Sequence, residues 1–172
     1  QVNLPYPMSS LDKIKPDTQA LTNWKKKYPM GPYVASEKLD GISGQTFVDI
    51  NKINNKFKLF TRGDATTGQD ITHLIPYLFK DKKILNKLPN GTSIRGEIIM
   101  SKKNFAIIKN KYGDKYKNAR NTVAGLVNSK HFSVEIAKLT SFITYDVIYP
   151  KLTQEEQMKK KGAYGWVPNM LW

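Results

Sequence analysis

The feature that most constrains the fold is a pair of strand-like runs joined by a short polar turn. Residues 42–50 and 57–61 are rich in β-branched and aromatic side chains, and residues 51–55 between them are polar apart from one isoleucine. This arrangement is typical of an antiparallel hairpin. Residues 33–38, 93–100 and 139–148 also have strand-like composition. We therefore expect a sheet that begins with a hairpin rather than with a strand–helix–strand crossover.

Helical patterns fall between these strands without alternating strictly with them. The spacing of apolar residues predicts helices over residues 16–28, 70–79, 101–112 and 121–127, and a charged helix over residues 153–161. Pro76 must kink or restart the second helix, and Phe105, Ile108 and Tyr112 are expected to face inward on the third. Strands in runs, broken by irregularly placed helices, predict an α+β fold with a largely antiparallel sheet. At 172 residues the chain is long enough for one domain with a real core.

The charge balance is strongly basic, with 28 lysines and arginines against 14 acids and a formal net charge of +14. This favours a polyanionic partner such as nucleic acid or an anionic surface. Solubility, or a lysine-rich genome, is the alternative, because most of the excess is lysine. The chain has no cysteine, which excludes disulfides and cysteine-ligated zinc within it. No apolar run approaches the roughly 20 residues of a membrane span and no secretory signal is visible. We therefore expect an intracellular monomer with no membrane partner.

The first stretch that could carry chemistry is Lys38-Leu39-Asp40-Gly41. If the preceding strand continues to Asp40, the side chains of Lys38 and Asp40 point the same way. Gly41 then permits a close backbone turn, or a ligand against the chain. A lysine acts as a nucleophile only in its neutral form, which burial or neighbouring cations favour. On these four residues alone, a surface Lys–Asp pair before a hairpin glycine is the favoured interpretation.

The second stretch is the loop of residues 61–70, which reads TRGDATTGQD. Gly63 and Gly68 have the spacing of a phosphate-binding loop, but Gln69 and Asp70 stand where that motif needs lysine and serine or threonine. A P-loop is therefore excluded. Two interpretations remain, an anion cradle that follows Arg62 and an ordinary capped turn with Asp70 near the start of a helix.

The third stretch is IRGEII over residues 94–99, followed by NARNTVAG over residues 118–125. Glu97 is flanked by apolar residues, so its carboxylate is expected to be half-buried and to need a partner such as a hydroxyl, a cation or a metal. Arg95 is expected to point to the opposite face. The alternative is an ordinary pairing of Glu97 with a lysine or arginine on another strand. Arg120, at the entry to a small-residue helix, fits either a phosphate ligand or a surface charge.

Taken together and in this order, these stretches resemble the adenylation domain of NAD-dependent DNA ligases. The matching segments are PMSSLDKI (7–14), EKLDG (37–41), TRGDATTGQDIT (61–72), RGEIIM (95–100) and NARNTVAG (118–125). The loop TRGD-x-x-x-G-x-D-x-T is the most specific, because other nucleotidyltransferases that share Lys-x-Asp-Gly lack it. The resemblance covers residues 7–168. It implies the nucleotidyltransferase (ATP-grasp-like) adenylation fold, with antiparallel-rich sheets, flanking helices and a nucleotide cleft.

The resemblance also implies an enzyme, an NAD-dependent DNA ligase of DNA replication and repair. Lys38 would attack the α-phosphorus of NAD and become a lysyl-AMP, whose AMP then moves to the 5′-phosphate of nicked duplex DNA. Asp40 and Gly41 complete that motif. Glu97 would contact the ribose and orient the nucleotide, and Arg62 would contact the adenylate.

The remaining roles concern the nucleotide and the DNA end. Glu37 and Leu39 flank the lysine and are expected to contact the nucleotide with it. Arg120 falls on an arginine that handles the 5′-phosphate of the nick, and Lys130 is the cation nearest to a second such position, which is Asn128 here. Mg²⁺ is expected as a cofactor, with no protein residue assigned as its ligand. The basic remainder of the chain would hold duplex DNA by its phosphates without reading sequence.

Several departures from the family pattern indicate a divergent branch, such as a viral one. They are Ala65 for glycine, Gln69 for glutamate, Ala119 for proline, Asn128 for arginine, and Ser36 with the glutamate moved to Glu37. No second lysine motif follows Tyr149, and we find no nicotinamide-binding segment, OB-fold or C-terminal module. Residues 1–172 are therefore expected to be an adenylation-domain fragment. A catalytically incomplete nucleic-acid-binding remnant and an ATP-dependent ligase or capping-type nucleotidyltransferase remain as alternatives.

Overall fold

The computed structural model describes residues 1–31, 33, 35–49, 56–153, 155–156 and 170–171. In chain order the elements are β1 (Val2–Asn3), α1 (Gln19–Lys27), β2 (Ala35–Ser36), β3 (Ile42–Val48), β4 (Phe57–Thr61), β5 (Thr67–Gly68), a 3₁₀ turn (Thr72–Leu74), α2 (Ile75–Leu78), α3 (Lys82–Lys87), β6 (Ser93–Met100), α4 (Lys102–Tyr112), a 3₁₀ turn (Gly113–Lys115), α5 (Ala119–Asn128), α6 (Val134–Lys138), β7 (Thr140–Tyr149) and β8 (Met170–Leu171). None of the helices in these ranges is long and apolar enough to cross a membrane.

One four-stranded antiparallel sheet organises the fold, with strands in the order β4-β3-β6-β7. Two short antiparallel ribbons, β1 with β5 and β2 with β8, accompany it. The α+β class with antiparallel sheet is confirmed. β4 and β6 coincide with the predicted strands, and the proline in the segment after β5 lies in the first turn of α2, where a restarted helix tolerates it.

Other predictions were wrong in detail. In the described part of residues 33–38, where a strand was expected, the strand is the two-residue β2, and α3 and α6 were not predicted. The Tyr112 side chain is 37% exposed rather than inward-facing. The predicted turn at residues 51–55 and most of the predicted helix at residues 153–161 lie outside the described residues.

One face of the sheet packs against helices and forms the main core. Leu59, Ile98 and Phe142 project from β4, β6 and β7 into a cluster that also contains Ile108 of α4 and Val123 of α5. Each of these side chains is at most 7% exposed. This packing gives the sheet a rigid support, since interiors of this density resist deformation.

The other face of the sheet carries polar residues and is partly covered by the N-terminal segment. Gln45 of β3 is fully buried there, and its side-chain amide donates to the carbonyl of Tyr6 (2.8 Å) and accepts from the Tyr6 amide (3.3 Å). Leu4 and Met8 of the same segment pack on Phe60.

A bulge in β7 changes which side chains reach that face. Arg95 pairs with Asp146, but the next residue, Gly96, pairs with Thr144, so Tyr145 is an extra residue on β7. A bulge of this kind leaves one residue without a ladder partner and re-aims its side chain. Tyr145 is thereby directed towards the residues described next.

Candidate functional site

The segment that carries Lys38 is an extended stretch between β2 and β3 rather than a continuing strand. The shared orientation expected for Lys38 and Asp40 from strand geometry therefore does not apply. Both side chains are exposed, Glu37 is exposed as well, and Leu39 is half-buried. The structure thus places Lys38 at the surface, just before the first residue of the inner strand β3, and not within the core.

Gly41 fixes where this segment joins the sheet. A Cβ atom at this position would lie 2.1 Å from the carbonyl oxygen of Ile98 and 2.8 Å from Cγ2 of Ile99. The close approach that the sequence predicted for this glycine is made by β6, and any side chain would push the two strands apart. Gly41 therefore holds the lysine segment against the strand that carries Glu97.

Glu97 lies directly opposite Ser43 in the β3–β6 register, and its side chain is buried, at 8% exposure. Ser43 Oγ donates to Glu97 Oε2 at 2.9 Å, and the Gly41 backbone N–H also donates to this carboxylate. Burial raises the pKa of Glu97, while these hydrogen bonds and the nearby charges of Lys38 and Arg95 act in the opposite direction. Lys38 and Glu97, 59 positions apart in the sequence, are therefore brought into electrostatic contact.

A directed chain of hydrogen bonds ends on Glu97. Arg95 Nε donates to the Tyr145 hydroxyl at 2.7 Å, and the Tyr145 and Ser43 hydroxyls are also hydrogen-bonded. Ser43 Oγ in turn donates to Glu97 Oε2, so the two hydroxyls link Arg95 to Glu97. The order Arg95, Tyr145, Ser43, Glu97 runs from a cation to an anion, with each bond polarising the next. Burial raises the pKa of Tyr145, which keeps its hydroxyl protonated as a donor.

This network corrects one expectation and adds two residues. Arg95 was expected on the face opposite Glu97, but residues two apart on a strand share a face, and Arg95 and Glu97 both contribute to this cluster. Ser43 and Tyr145 were missed by the sequence analysis. Ser43 becomes recognisable only from the β3–β6 register, and Tyr145 only from the bulge in β7.

Arg62 follows β4 and is half-buried beside the network. Its backbone N–H donates to the Ser43 carbonyl at 2.9 Å, and its Nη1 donates to Ser10 Oγ at 2.6 Å. The guanidinium is thus held between the sheet and the N-terminal segment. The bond to Ser10 uses one of its five N–H donors.

The loop after Arg62 is a self-contained turn. Asp64 Oδ1 accepts from the backbone N–H groups of Thr66 (3.0 Å) and Thr67 (2.7 Å), and Oδ2 accepts from the Thr67 hydroxyl (2.8 Å). These bonds hold the pKa of Asp64 far below its ordinary value. Asp70 in turn accepts from the Thr72 N–H at 2.9 Å. Of the two interpretations of this loop, the capped turn is the one found, because a side chain already occupies the N–H groups that would cradle an anion.

Arg120 lies in the first turn of α5 and reaches the lysine segment from the helix side of the sheet. Its Nε is 3.6 Å from Asp40 Oδ1, with both side chains more than half exposed. Lys130 does not lie beside this contact between Arg120 and Asp40. It follows the opposite end of α5, a helix of 10 residues that spans about 15 Å, and it is exposed there.

Two open cavities border the cluster. The larger, of about 400 Å³, is lined by Met8, Arg95, Asp146 and Lys151 among others. The smaller, of about 340 Å³, lies between the loop after Arg62 and the end of α5, where Asn128 and not Lys130 contributes to the lining. Within the described ranges, no three histidine or acidic side chains come together as a set of metal ligands.

The arrangement is thus an exposed lysine beside a buried carboxylate, with arginines on both flanks, on an antiparallel α+β domain. The family model that describes the NAD-dependent DNA ligase adenylation domain matches residues 1–170. The chain belongs to this family.

Individual relatives agree with that assignment. A DNA ligase of Acanthamoeba polyphaga mimivirus is 47% identical over 167 residues, which is 96% of this chain and 25% of that protein. A protein of Invertebrate iridescent virus 6 is 40% identical over 150 residues, or 86% of this chain and 22% of that protein. A DNA ligase of Corynebacterium jeikeium is 33% identical over 141 residues, or 76% and 19%. The chain thus spans a quarter or less of the length of these relatives, and two of the three are viral, as a divergent branch predicts.

Proposed function

We propose that the residues of the candidate site form the nucleotide-handling part of an NAD-dependent DNA ligase, built on the nucleotidyltransferase fold. In this proposal Lys38 accepts AMP from NAD, and the AMP then moves to the 5′-phosphate of nicked duplex DNA. The observation that carries the proposal is the convergence of Lys38, Gly41 and Glu97, since segments far apart in the sequence meet around one buried carboxylate.

The proposed first step forms a phosphoramidate bond between Lys38 Nζ and the α-phosphorus of NAD and breaks the bond from that phosphorus to the nicotinamide mononucleotide. The amine must lose a proton to attack, and this proton would pass to solvent, to which the exposed Lys38 has access. Glu97 is well placed to contact a ribose hydroxyl, because its carboxylate is fixed by Ser43 and Gly41 from the sheet side. A buried acceptor of this kind binds a hydroxyl without needing to reorganise.

Cations on both flanks would neutralise charge on the phosphates. Arg62 is anchored through one Nη1 bond to Ser10, which leaves the rest of its planar fork for the adenylate phosphate. Arg120 would release Asp40, a weak and exposed partner at 3.6 Å, to bind the 5′-phosphate of the nick. The proposed part for Lys130 has less support, because it lies beyond the far end of α5.

NAD would supply the activated AMP group, and Mg²⁺ would offset negative charge on the phosphate oxygens. Since the described residues gather no set of three acidic or histidine ligands, we propose that Mg²⁺ is held mainly by substrate phosphates, as is common for this ion. Glu37 and Leu39 would contact the nucleotide from the segment around Lys38. A DNA-joining activity also implies a location within the cell, where DNA is found.

The test is transfer of labelled AMP. The chain, and any longer gene product that contains it, is incubated with Mg²⁺ and either adenine-labelled NAD or labelled ATP. We expect a covalent protein adduct with NAD. Nicked duplex with a 5′-phosphate is then added, and label should move to the DNA, whereas a matched nick with a 5′-hydroxyl should leave it on the protein. Label from ATP alone would reassign the donor, and no adduct from either donor would refute the proposal.

A further inference from the structure

A strongly basic segment lies outside the site just described. Residues 102–117 contain six lysines and a single acid, so less than a tenth of the chain carries more than a third of its net charge. All six side chains are exposed. We call this surface the basic face; its members are Lys102, Lys103, Lys109, Lys111, Lys115 and Lys117. Four of these lysines lie on α4, and the other two lie in the short segment that joins α4 to α5.

The basic face is built on a rigid support. Ile108 anchors α4 in the main core with no exposed surface, and Ser101 caps the helix by accepting from the Asn104 N–H at 3.1 Å. At the other end of α4, Glu135 of α6 accepts from Lys111 Nζ (2.9 Å) and from the Tyr112 hydroxyl (2.7 Å). The four lysines of α4 therefore project from a fixed helix, which reduces the entropy lost when they bind a ligand.

Aromatic rings order the cations at the end of the face that lies nearest to the site. Lys115 Nζ lies 5.9 Å from the centroid of the Tyr112 ring and 5.6 Å from that of Tyr116. The two rings meet edge to face at 5.9 Å. In the part of the chain that the structure describes, Lys111 is the one member of the basic face with an acidic partner, so the other five charges are not neutralised by such pairs.

The face leads directly to the candidate site. Lys117 is three residues before Arg120, a separation of at most about 11 Å along the backbone, and Arg120 contacts Asp40 next to Lys38. In the other direction α4 extends the face by about 16 Å. Each strand of duplex DNA carries one charge per about 3.4 Å of the helix axis, so α4 can lie alongside roughly five phosphates of one strand.

We propose that the basic face is the surface that holds the duplex next to the nick, through phosphate contacts made by the lysines of α4 and the segment up to Lys117. The identity of the polyanion rests on the proposed function, whereas the location of the surface rests on the charges and geometry above. Lysine ammonium groups act as point charges for phosphate and carry no base readout. Binding through this face should therefore be independent of sequence and strongly dependent on salt.

The experiment compares two triple variants of equal charge change. One is Lys109→Gln/Lys115→Gln/Lys117→Gln on the basic face, which leaves the Lys111–Glu135 pair intact. The matched control is Lys25→Gln/Lys26→Gln/Lys27→Gln at the end of α1, a helix with no buried residue. Binding of a fluorescent nicked duplex to the 172-residue chain is followed by anisotropy across a salt series, and melting curves confirm that both variants fold.

Each phosphate contact contributes about 0.9 to the slope of log K against log salt. The face variant should lose about 2–3 units of slope and bind at least about tenfold more weakly at 0.1 M salt, while the control keeps the slope of the unchanged chain. Equal losses of slope and affinity in both variants would show that only net charge matters. A basic-face variant with unchanged slope and affinity would show that this surface does not hold DNA. Either result overturns the proposal. Loss of binding to phosphatidylserine vesicles without loss of DNA binding would overturn it as well. AMP labelling of the unchanged chain needs no DNA. A failure of the proposed function would therefore appear in the labelling experiment, and a failure of the present proposal in the DNA-binding experiment.

Discussion

Replacement of Gly41 by alanine should destabilise the fold and disturb the site together. The added Cβ would lie 2.1 Å from the Ile98 carbonyl oxygen, whereas Cβ atoms essentially never come closer than 3.0 Å to such a neighbour. Because the obstacle is backbone in the centre of the sheet, the start of β3 must move by roughly 1 Å. Overpacking of this kind costs about 1–3 kcal/mol.

A second cost comes from Glu97. The Gly41 N–H donates to this carboxylate, and hydrogen bonds to charged groups contribute about 1.5–3 kcal/mol each. Since the displacement weakens this bond without removing it, we expect a total loss of about 2–4 kcal/mol. For a chain of this length that corresponds to a melting temperature lower by about 5–15 °C.

Urea unfolding followed by far-ultraviolet circular dichroism measures the free energy of unfolding directly. The matched control is Gly125→Ala, because a Cβ there meets nothing within 4 Å on the exposed side of α5. That control should gain about 0.5–1 kcal/mol from helix propensity. If Gly41→Ala unfolds within about 1 kcal/mol of the parent, the close approach of β3 to β6 does not exist as described.

Three further predictions concern single side chains. Burial raises the pKa of Glu97 above its ordinary 4.5, so its contribution to stability is present below that value and is lost as pH rises through the raised pKa. The stability of Glu97→Gln should therefore improve relative to the parent between pH 4 and 7 in urea unfolding, while its yield of AMP adduct falls; a pH-independent difference would contradict this. Ala65 has a φ of +84°, so Ala65→Gly should raise the free energy of unfolding by about 0.5–1 kcal/mol, and a loss would show that the turn is not strained. Arg62→Lys keeps the charge but loses the planar fork, so it should slow adduct formation in a time course without lowering the melting temperature; equal rates would exclude a bidentate contact.

The parts of the fold that the sequence predicted are those specified by local pattern. β4, β6 and α4 have a clear pattern of apolar residues over 5 to 11 residues. The residues next to each of them in the chain mark where the element begins and ends. The two-residue strands β1, β2 and β8 exist only because distant segments pair with them. Likewise α3 and α6, of six and five residues, are too short to be stable alone and depend on burying Leu85 and Ile136.

The candidate site divides in the same way. Lys38, Arg62, Glu97 and Arg120 were identified from short motifs, since their neighbours in the sequence carry the signal. The partner of Glu97 could not be identified this way, because Ser43 is placed opposite it by strand register, and register depends on the whole sheet.

The location of Lys130 relative to Arg120 also could not be predicted from the sequence, because it depends on the direction of α5. Lys130 is the cation nearest in sequence to a family arginine position, but eight helical residues, 121–128, separate it from Arg120. The part of Lys130 therefore stays a prediction, because it lies at the opposite end of α5 from Arg120.

The most direct test of the account is to locate the AMP on the protein. Adduct formed with NAD and Mg²⁺, by the chain or a longer gene product that contains it, is digested and sequenced by mass spectrometry. The account predicts one AMP on Lys38, none in a Lys38→Ala variant that retains the parent's circular dichroism spectrum, and normal labelling in a Lys26→Ala control. AMP on any other lysine, or undiminished labelling of Lys38→Ala, would contradict it.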